Sequence, residues 1–144
     1  MVDPEIRTKG SPRGLTLYTS EHSHSSIEKG AIAVGIGQEN VRKIGADDEF
    51  RMRPDLLEAA IEAAIRAGKK PFCVVATVGT TSAGSIDPVA AVAAIAEKYN
   101  LWMHIDGAYA GAAAILPEKR WILEGAERAH SFVTNPHKWL LTPS

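Results

Sequence analysis

The chain has 144 residues, the size of one domain, and its 45% hydrophobic content is enough to build a core. A formal net charge of −1 leaves no basic footprint for nucleic acid, and the single cysteine, Cys73, excludes an internal disulfide and fits a reducing cytoplasm. The N-terminus has no apolar signal core, and the longest clearly apolar stretch, residues 89–96, is far too short to span a bilayer.

Residues 1–14 are polar, rich in Pro and Gly, and read as a loose leader. Residues 15–19 predict a short strand, residues 23–34 a helix with Ser23 as its cap, and residues 41–44 a second short strand. The clearest helix opens with Pro54 at an N1-like position. Leu56, Leu57, Ala60, Ile61, Ala64 and Ile65 recur at helical spacing, and Gly68 sits where a C-terminal cap belongs. Residues 72–78 form a continuous apolar run rich in β-branched side chains, which suits a strand covered on both faces. A Gly/Thr/Ser loop fills residues 79–85, and Asp87-Pro88 opens a helix to about Tyr99 with Asp87 as its cap. Residues 101–105 predict a strand, residues 119–127 a helix, and residues 131–134 a last short strand. Strands alternating with helices predict an α/β fold, a mainly parallel sheet flanked by helices and joined by right-handed crossovers. Ligands on such sheets bind at the carboxyl ends of the strands, and Thr81, Asp106 and Lys138 each closely follow a predicted strand.

Two segments carry chemistry. Lys138 lies in the polar turn Asn135-Pro136-His137-Lys138-Trp139. Alone it reads as a solvated loop lysine, although a desolvated lysine amine can attack a carbonyl. Asp106 ends an apolar run in His104-Ile105-Asp106-Gly107-Ala108-Tyr109. Alone it reads as a turn former or helix cap. A lysine for an imine and a carboxylate for a ring nitrogen are the two groups that pyridoxal 5'-phosphate chemistry asks for first. His22 and His24, two apart, could form a metal pair on a strand, but no third ligand follows at convincing spacing, so no metal is assigned. Thr81 belongs to the polar turn Gly79-Thr80-Thr81-Ser82. His22, His104 and His130 read as packing or surface residues, and Trp102 and Trp121 as core or interface. Gly35-Ile36-Gly37 lacks the helix-opening glycine of a dinucleotide loop.

Together these motifs resemble the pyridoxal-dependent amino acid decarboxylases, the group that holds the aromatic amino acid and glutamate decarboxylases. The resemblance runs from about Leu15 to Thr142. It implies an aspartate-aminotransferase-like large domain of a type I pyridoxal enzyme, of which residues 15–144 would be an internal part or a natural truncation, unable to turn over alone. It implies Lys138 as the Schiff-base lysine, Asp106 as partner of the pyridine nitrogen, and His24 stacked on the ring with Ala108 on the opposite face. Thr81 would lie near the ring hydroxyl or the substrate carboxylate. His137 and Asn135, with Ser131, would help hold the phosphate. The implied cofactor is pyridoxal 5'-phosphate, and the implied reaction releases carbon dioxide from an L-amino acid in a cytoplasmic homodimer with no nucleic-acid or membrane partner. Ser25, Tyr109 and Trp139 favour an aromatic substrate, while Glu21-His22-Ser23-His24 also suits the glutamate branch. Gly107 stands where alanine is common in such relatives. Another type I enzyme, such as an aminotransferase or a sulfur lyase, would also use Asp106 and Lys138, but the Pro136-His137-Lys138-Trp139 run argues against it. A non-catalytic interaction module is the reading from a different class.

Overall fold

The computed structural model describes Glu5, Thr8 and residues 10–143. Of the leader expected over residues 1–14, residues 1–4, 6, 7 and 9 lie outside the described residues. The strands are β1 (Leu15–Ser20), β2 (Val41–Ile44), β3 (Lys70–Thr77), β4 (Trp102–Asp106) and β5 (Ser131–Val133). The helices are α1 (Ser26–Ala33), α2 (Pro54–Arg66), α3 (Val89–Lys98) and the single turn α4 (Pro136–Trp139). Every described strand pair is parallel, in the order β2-β1-β3-β4-β5. Their carboxyl ends therefore share one rim, where the register sets Thr77 beside Asp106 and Asp106 beside Val133. The fold is the expected α/β one. No helix among the described residues is long and apolar enough to cross a membrane.

The period of two along each strand separates core from chemistry. Val74 and Ala76 of β3 and Met103 and Ile105 of β4 enter a large core beneath α2 and α3. Cys73 and Val75 point to the other face, joining Leu17 with Ile27 of α1 packed against them. By the same alternation Thr77, His104 and Asp106 face that second side.

Helix α2 begins with Pro54 at its first turn, and Leu57 and Ile61, one turn apart, are fully buried. Burying each is worth roughly 1.5–3 kcal/mol. The helix ends in a Schellman cap: the Gly68 N–H donates to the Ile65 carbonyl and the Lys69 N–H to the Ala64 carbonyl, with Gly68 at φ 71°.

Several local expectations are corrected. Ser23 does not cap α1, which starts at Ser26; its hydroxyl instead meets those of Thr19 and Thr77. Asp87 does not cap α3, whose N-cap position is Pro88. Its carboxylate turns inward, accepting the Met52 N–H at 2.7 Å and the Thr77 N–H at 2.8 Å. Two buried donors hold a carboxylate more strongly than the exposed first turn of a helix does. The region expected as a helix over residues 119–127 forms two 3-10 segments, Pro117–Leu123 and Ala126–Arg128. Gly125 interrupts them at φ 86°, where an added Cβ would lie 2.6 Å from the Ala90 backbone. Of the tryptophans expected in core or interface, neither is in the core: Trp102 is exposed against His130, with ring centroids 4.9 Å apart, and Trp121 is also exposed. His22 is half-buried, edge-on to Phe50 with ring centroids 5.2 Å apart.

Candidate active site

Asp106 is the last residue of β4 and is 8% exposed. Its Oδ1 accepts the Ala108 N–H at 3.1 Å, which holds the carboxylate over the turn that follows the strand. That turn returns tightly: the Gly107 N–H donates to the Val133 carbonyl at 3.0 Å and the Ala110 N–H to the Val78 carbonyl at 3.2 Å. A Cβ on Gly107 would lie 2.6 Å from the Phe132 ring and 3.1 Å from the Val133 carbonyl, so the chain passes close over β5 there and an added methyl would have to push the exposed Phe132 ring aside. Gly79, at φ 88°, allows a matching approach from the other side, since a Cβ there would meet that of Ala110 at 2.5 Å.

Lys138 is carried by α4, directly after β5. Its backbone N–H donates to the Asn135 carbonyl at 3.0 Å. Trp139, the next residue, packs edge-on against Tyr109 with ring centroids 5.4 Å apart at 83°. This aromatic pair ties the turn bearing Lys138 to the turn that follows Asp106, and such contacts contribute about 0.5–1.5 kcal/mol beyond burial.

His24 enters from the β1–α1 connection. Its Nδ1 accepts the Ser26 N–H at 3.2 Å and lies 2.9 Å from the Ser26 hydroxyl, so the neutral ring carries its proton on Nε2. The preceding residue, Ser23, has its hydroxyl 3.2 Å from that of Thr77 and bonded to that of Thr19. A ladder of three hydroxyls thus anchors the His24 loop to the ends of β1 and β3. Asp87 holds the Thr77 end of that ladder from below.

His24, Thr81, Asp106, Ala108, Asn135 and Lys138 line one cleft of about 480 Å³ at the carboxyl ends of the strands. The two other residues assigned by sequence, His137 and Ser131, are not among its lining. His137 is exposed, and the Ser131 hydroxyl is engaged by His104 Nδ1 at 2.8 Å and Trp102 Nε1 at 3.0 Å. Thr77, His104 and Tyr109 line the cleft without having been assigned to it. Strand alternation was the missed signal for His104, two residues before Asp106. Thr77 needed the register between β3 and β4. Burial holds the His104 imidazole below its usual range, and the Asp106 charge opposes that shift. Cys73 lies deeper, where burial pushes its thiol up to about 12 and leaves it inert.

A second concavity, of about 510 Å³ and lined in part by Glu49, Arg51 and Trp121, gathers no comparable set of groups. Among the described residues no group of three His, Cys, Asp or Glu side chains is placed to hold a metal ion. The donor set of the first cleft fits pyridoxal 5'-phosphate. It offers a primary amine for an aldehyde, a buried carboxylate for a basic ring nitrogen, an imidazole and a small side chain for the ring faces, and hydroxyl and amide groups for oxygen atoms.

Comparisons with known proteins agree with this geometry. The L-tyrosine/L-DOPA decarboxylase 2 of Lophophora williamsii is 47% identical over 130 residues, which cover 89% of this chain and 25% of that protein. The crystal structure of mouse CSAD superposes with a TM-score of 0.93 at 40% identity, covering 96% of this chain and 29% of that one. The crystal structure of Oryza sativa TDC with PLP and tryptamine gives a TM-score of 0.88 at 40% identity, covering 95% and 29%. The chain thus spans between a quarter and three tenths of the length of these relatives. The model of the pyridoxal-dependent decarboxylase conserved domain matches residues 2–144, and the chain belongs to that family.

Proposed function

We propose that this chain contributes the lysine-bearing part of a pyridoxal 5'-phosphate-dependent carboxy-lyase that converts an L-amino acid, aromatic by preference, to its amine and carbon dioxide. The observation that carries the reading is the convergence of Lys138 and Asp106 on one cleft at the carboxyl ends of a parallel sheet. Lys138 would hold the cofactor through its aldehyde carbon, and Asp106 would face the ring nitrogen. His24 and Ala108 would flank the ring, Thr81 would meet its hydroxyl or the substrate carboxylate, and Asn135 and His137 would serve the phosphate. When bound, the group supplies an electron sink for the pair left behind by departing carbon dioxide.

The chain's own residues supply position and charge. Asp106 places a fixed carboxylate at the cleft floor, and a nearby anion favours the protonated form of a basic ring nitrogen. The Ala108 N–H keeps that carboxylate from swinging away. His24, braced by Ser26 and by the hydroxyl ladder, offers a flat surface that limits tilt of a bound ring. Orientation of this kind sets which substrate bond lies perpendicular to the ring and breaks.

The exposed ring of Tyr109 beside Trp139 supports an aromatic substrate, as do two of the named relatives, the L-tyrosine/L-DOPA decarboxylase and the TDC structure that holds tryptamine. The exposed Ile115, Leu116, Trp121 and Leu141 support a homodimer in the complete protein. The single reduced cysteine supports a cytoplasmic setting in amino acid metabolism. The near-neutral charge gives no handle for nucleic acid or an anionic membrane. The test is borohydride reduction of the cofactor-loaded protein followed by peptide mass mapping. The pyridoxyl adduct is expected on Lys138, and an adduct mapped reproducibly to another lysine would remove the basis of the proposal.

A further inference from the structure

His104 and Asp106 stand two residues apart on one face of β4, both lining the cleft, while Met103 and Ile105 enter the core. Across the sheet His104 is in register with Ser131 of β5. Three side chains meet at that point. Trp102 Nε1 donates to Ser131 Oγ at 3.0 Å, and the same oxygen lies 2.8 Å from His104 Nδ1. An indole N–H can only donate, so Ser131 receives it on a lone pair, and its own proton is free to be given to His104 Nδ1. When Nδ1 takes that proton as an acceptor, the neutral imidazole carries its own on Nε2.

The surroundings hold this arrangement. His130 stacks on the Trp102 ring, with centroids 4.9 Å apart, and accepts the Met103 N–H on its Nδ1 at 3.0 Å, so the indole is braced from outside the sheet. Burial favours the neutral His104 ring, and the Asp106 charge is close enough to be felt there. Asp106 itself is held at Oδ1 by the Ala108 N–H, which leaves its Oδ2 open to further donors.

We infer that His104 is a positioning residue for Asp106: Ser131 and Trp102 fix its ring so that the Nε2–H lies on the cleft side of β4 and steadies the carboxylate against the cofactor's ring nitrogen. The inference deepens the proposed function and rests on it. It also gives Ser131 a role through His104 in place of a direct one at the phosphate.

Two measurements on the protein at its full encoded length test it. Long-range nitrogen–proton spectra of the apo-protein read the His104 tautomer: Nε2–H is expected in the wild type, with the preference lost in Ser131→Ala. The cofactor-loaded protein is then compared as wild type, His104→Leu and His104→Gln. Glutamine keeps an N–H at about the reach of Nε2, whereas leucine does not. Turnover is expected to fall roughly tenfold or more in His104→Leu, the worth of a hydrogen bond to a charged group. KM should stay nearly constant, the cofactor absorbance band should shift, and His104→Gln should recover most of both. A strut that only joins β4 to β5 would lower thermal stability in both variants and leave the spectrum and the kcat/KM balance unchanged. That result, or an Nδ1–H tautomer in the wild type, overturns the inference. Should Lys138 carry no reducible adduct, the functional proposal fails on a different readout.

Discussion

Asp87→Asn isolates one buried carboxylate that joins three parts of the fold. Asp87 is 1% exposed, and its two oxygens accept the Met52 and Thr77 N–H groups, which lie 35 residues upstream and 10 residues upstream of it. Asparagine can satisfy only one of them with its amide oxygen. Its NH₂ then faces the second N–H, donor against donor. The lost bond to a charged acceptor is worth roughly 1.5–3 kcal/mol and the stranded buried donor a further 1–3, so the sum is about 2.5–6 kcal/mol. Against a typical domain stability of about 5–15 kcal/mol this is severe. The carboxylate also has an unusual pH signature. Burial pushes its pKa above the usual range, and the two backbone donors only partly oppose that. Between the unfolded and the raised folded pKa the native state binds more protons than the unfolded one, so this group's contribution to stability falls as pH rises through that window. The asparagine variant should lose that slope. Urea unfolding at several pH values measures both effects. A loss below about 1 kcal/mol would show that the two N–H groups find other partners, and the keystone reading would be wrong. Because Thr77 lines the cleft, the variant should also bind pyridoxal 5'-phosphate less tightly than its stability alone explains.

Asp106→Asn keeps the side-chain shape and removes its charge; carbon dioxide release should fall by orders of magnitude while cofactor still binds, and near-normal turnover would reject the ring-nitrogen role. Gly107→Ala drives a methyl into the Phe132 ring and should cost roughly 1–3 kcal/mol in urea unfolding. Phe132→Leu in the same chain should recover part of that loss, and additive effects of the two changes would rule out the steric account. A panel of L-amino acids with carbon dioxide detection should rank tyrosine, tryptophan and L-DOPA above glutamate, and a clear glutamate preference would overturn the aromatic reading.

That Lys138 and Asp106 would share one cleft was legible because each sits in a dense local motif that closely follows a strand. Helix α2 was legible at both ends, since Pro54 and Gly68 act through backbone geometry that needs no tertiary partner. The parallel sheet followed from strands separated by helices. Other features depend on residues that meet only after folding. Asp87 before a proline and a helix has the local pattern of a cap, and nothing nearby in the chain announces that Met52 and Thr77 will bring it their N–H groups. Ser23 likewise looked like a cap until its hydroxyl met Thr77, 54 residues away. The resemblance offered Ser131 to a phosphate, and nothing near it in the chain announces that sheet register brings its hydroxyl to His104. Local propensity and motif chemistry act over a few residues and are written in order along the chain. Register, the sharing of a hydroxyl between strands and the inward turn of a carboxylate are settled by which buried polar groups lack a nearer partner, and that is decided only when the sheet closes.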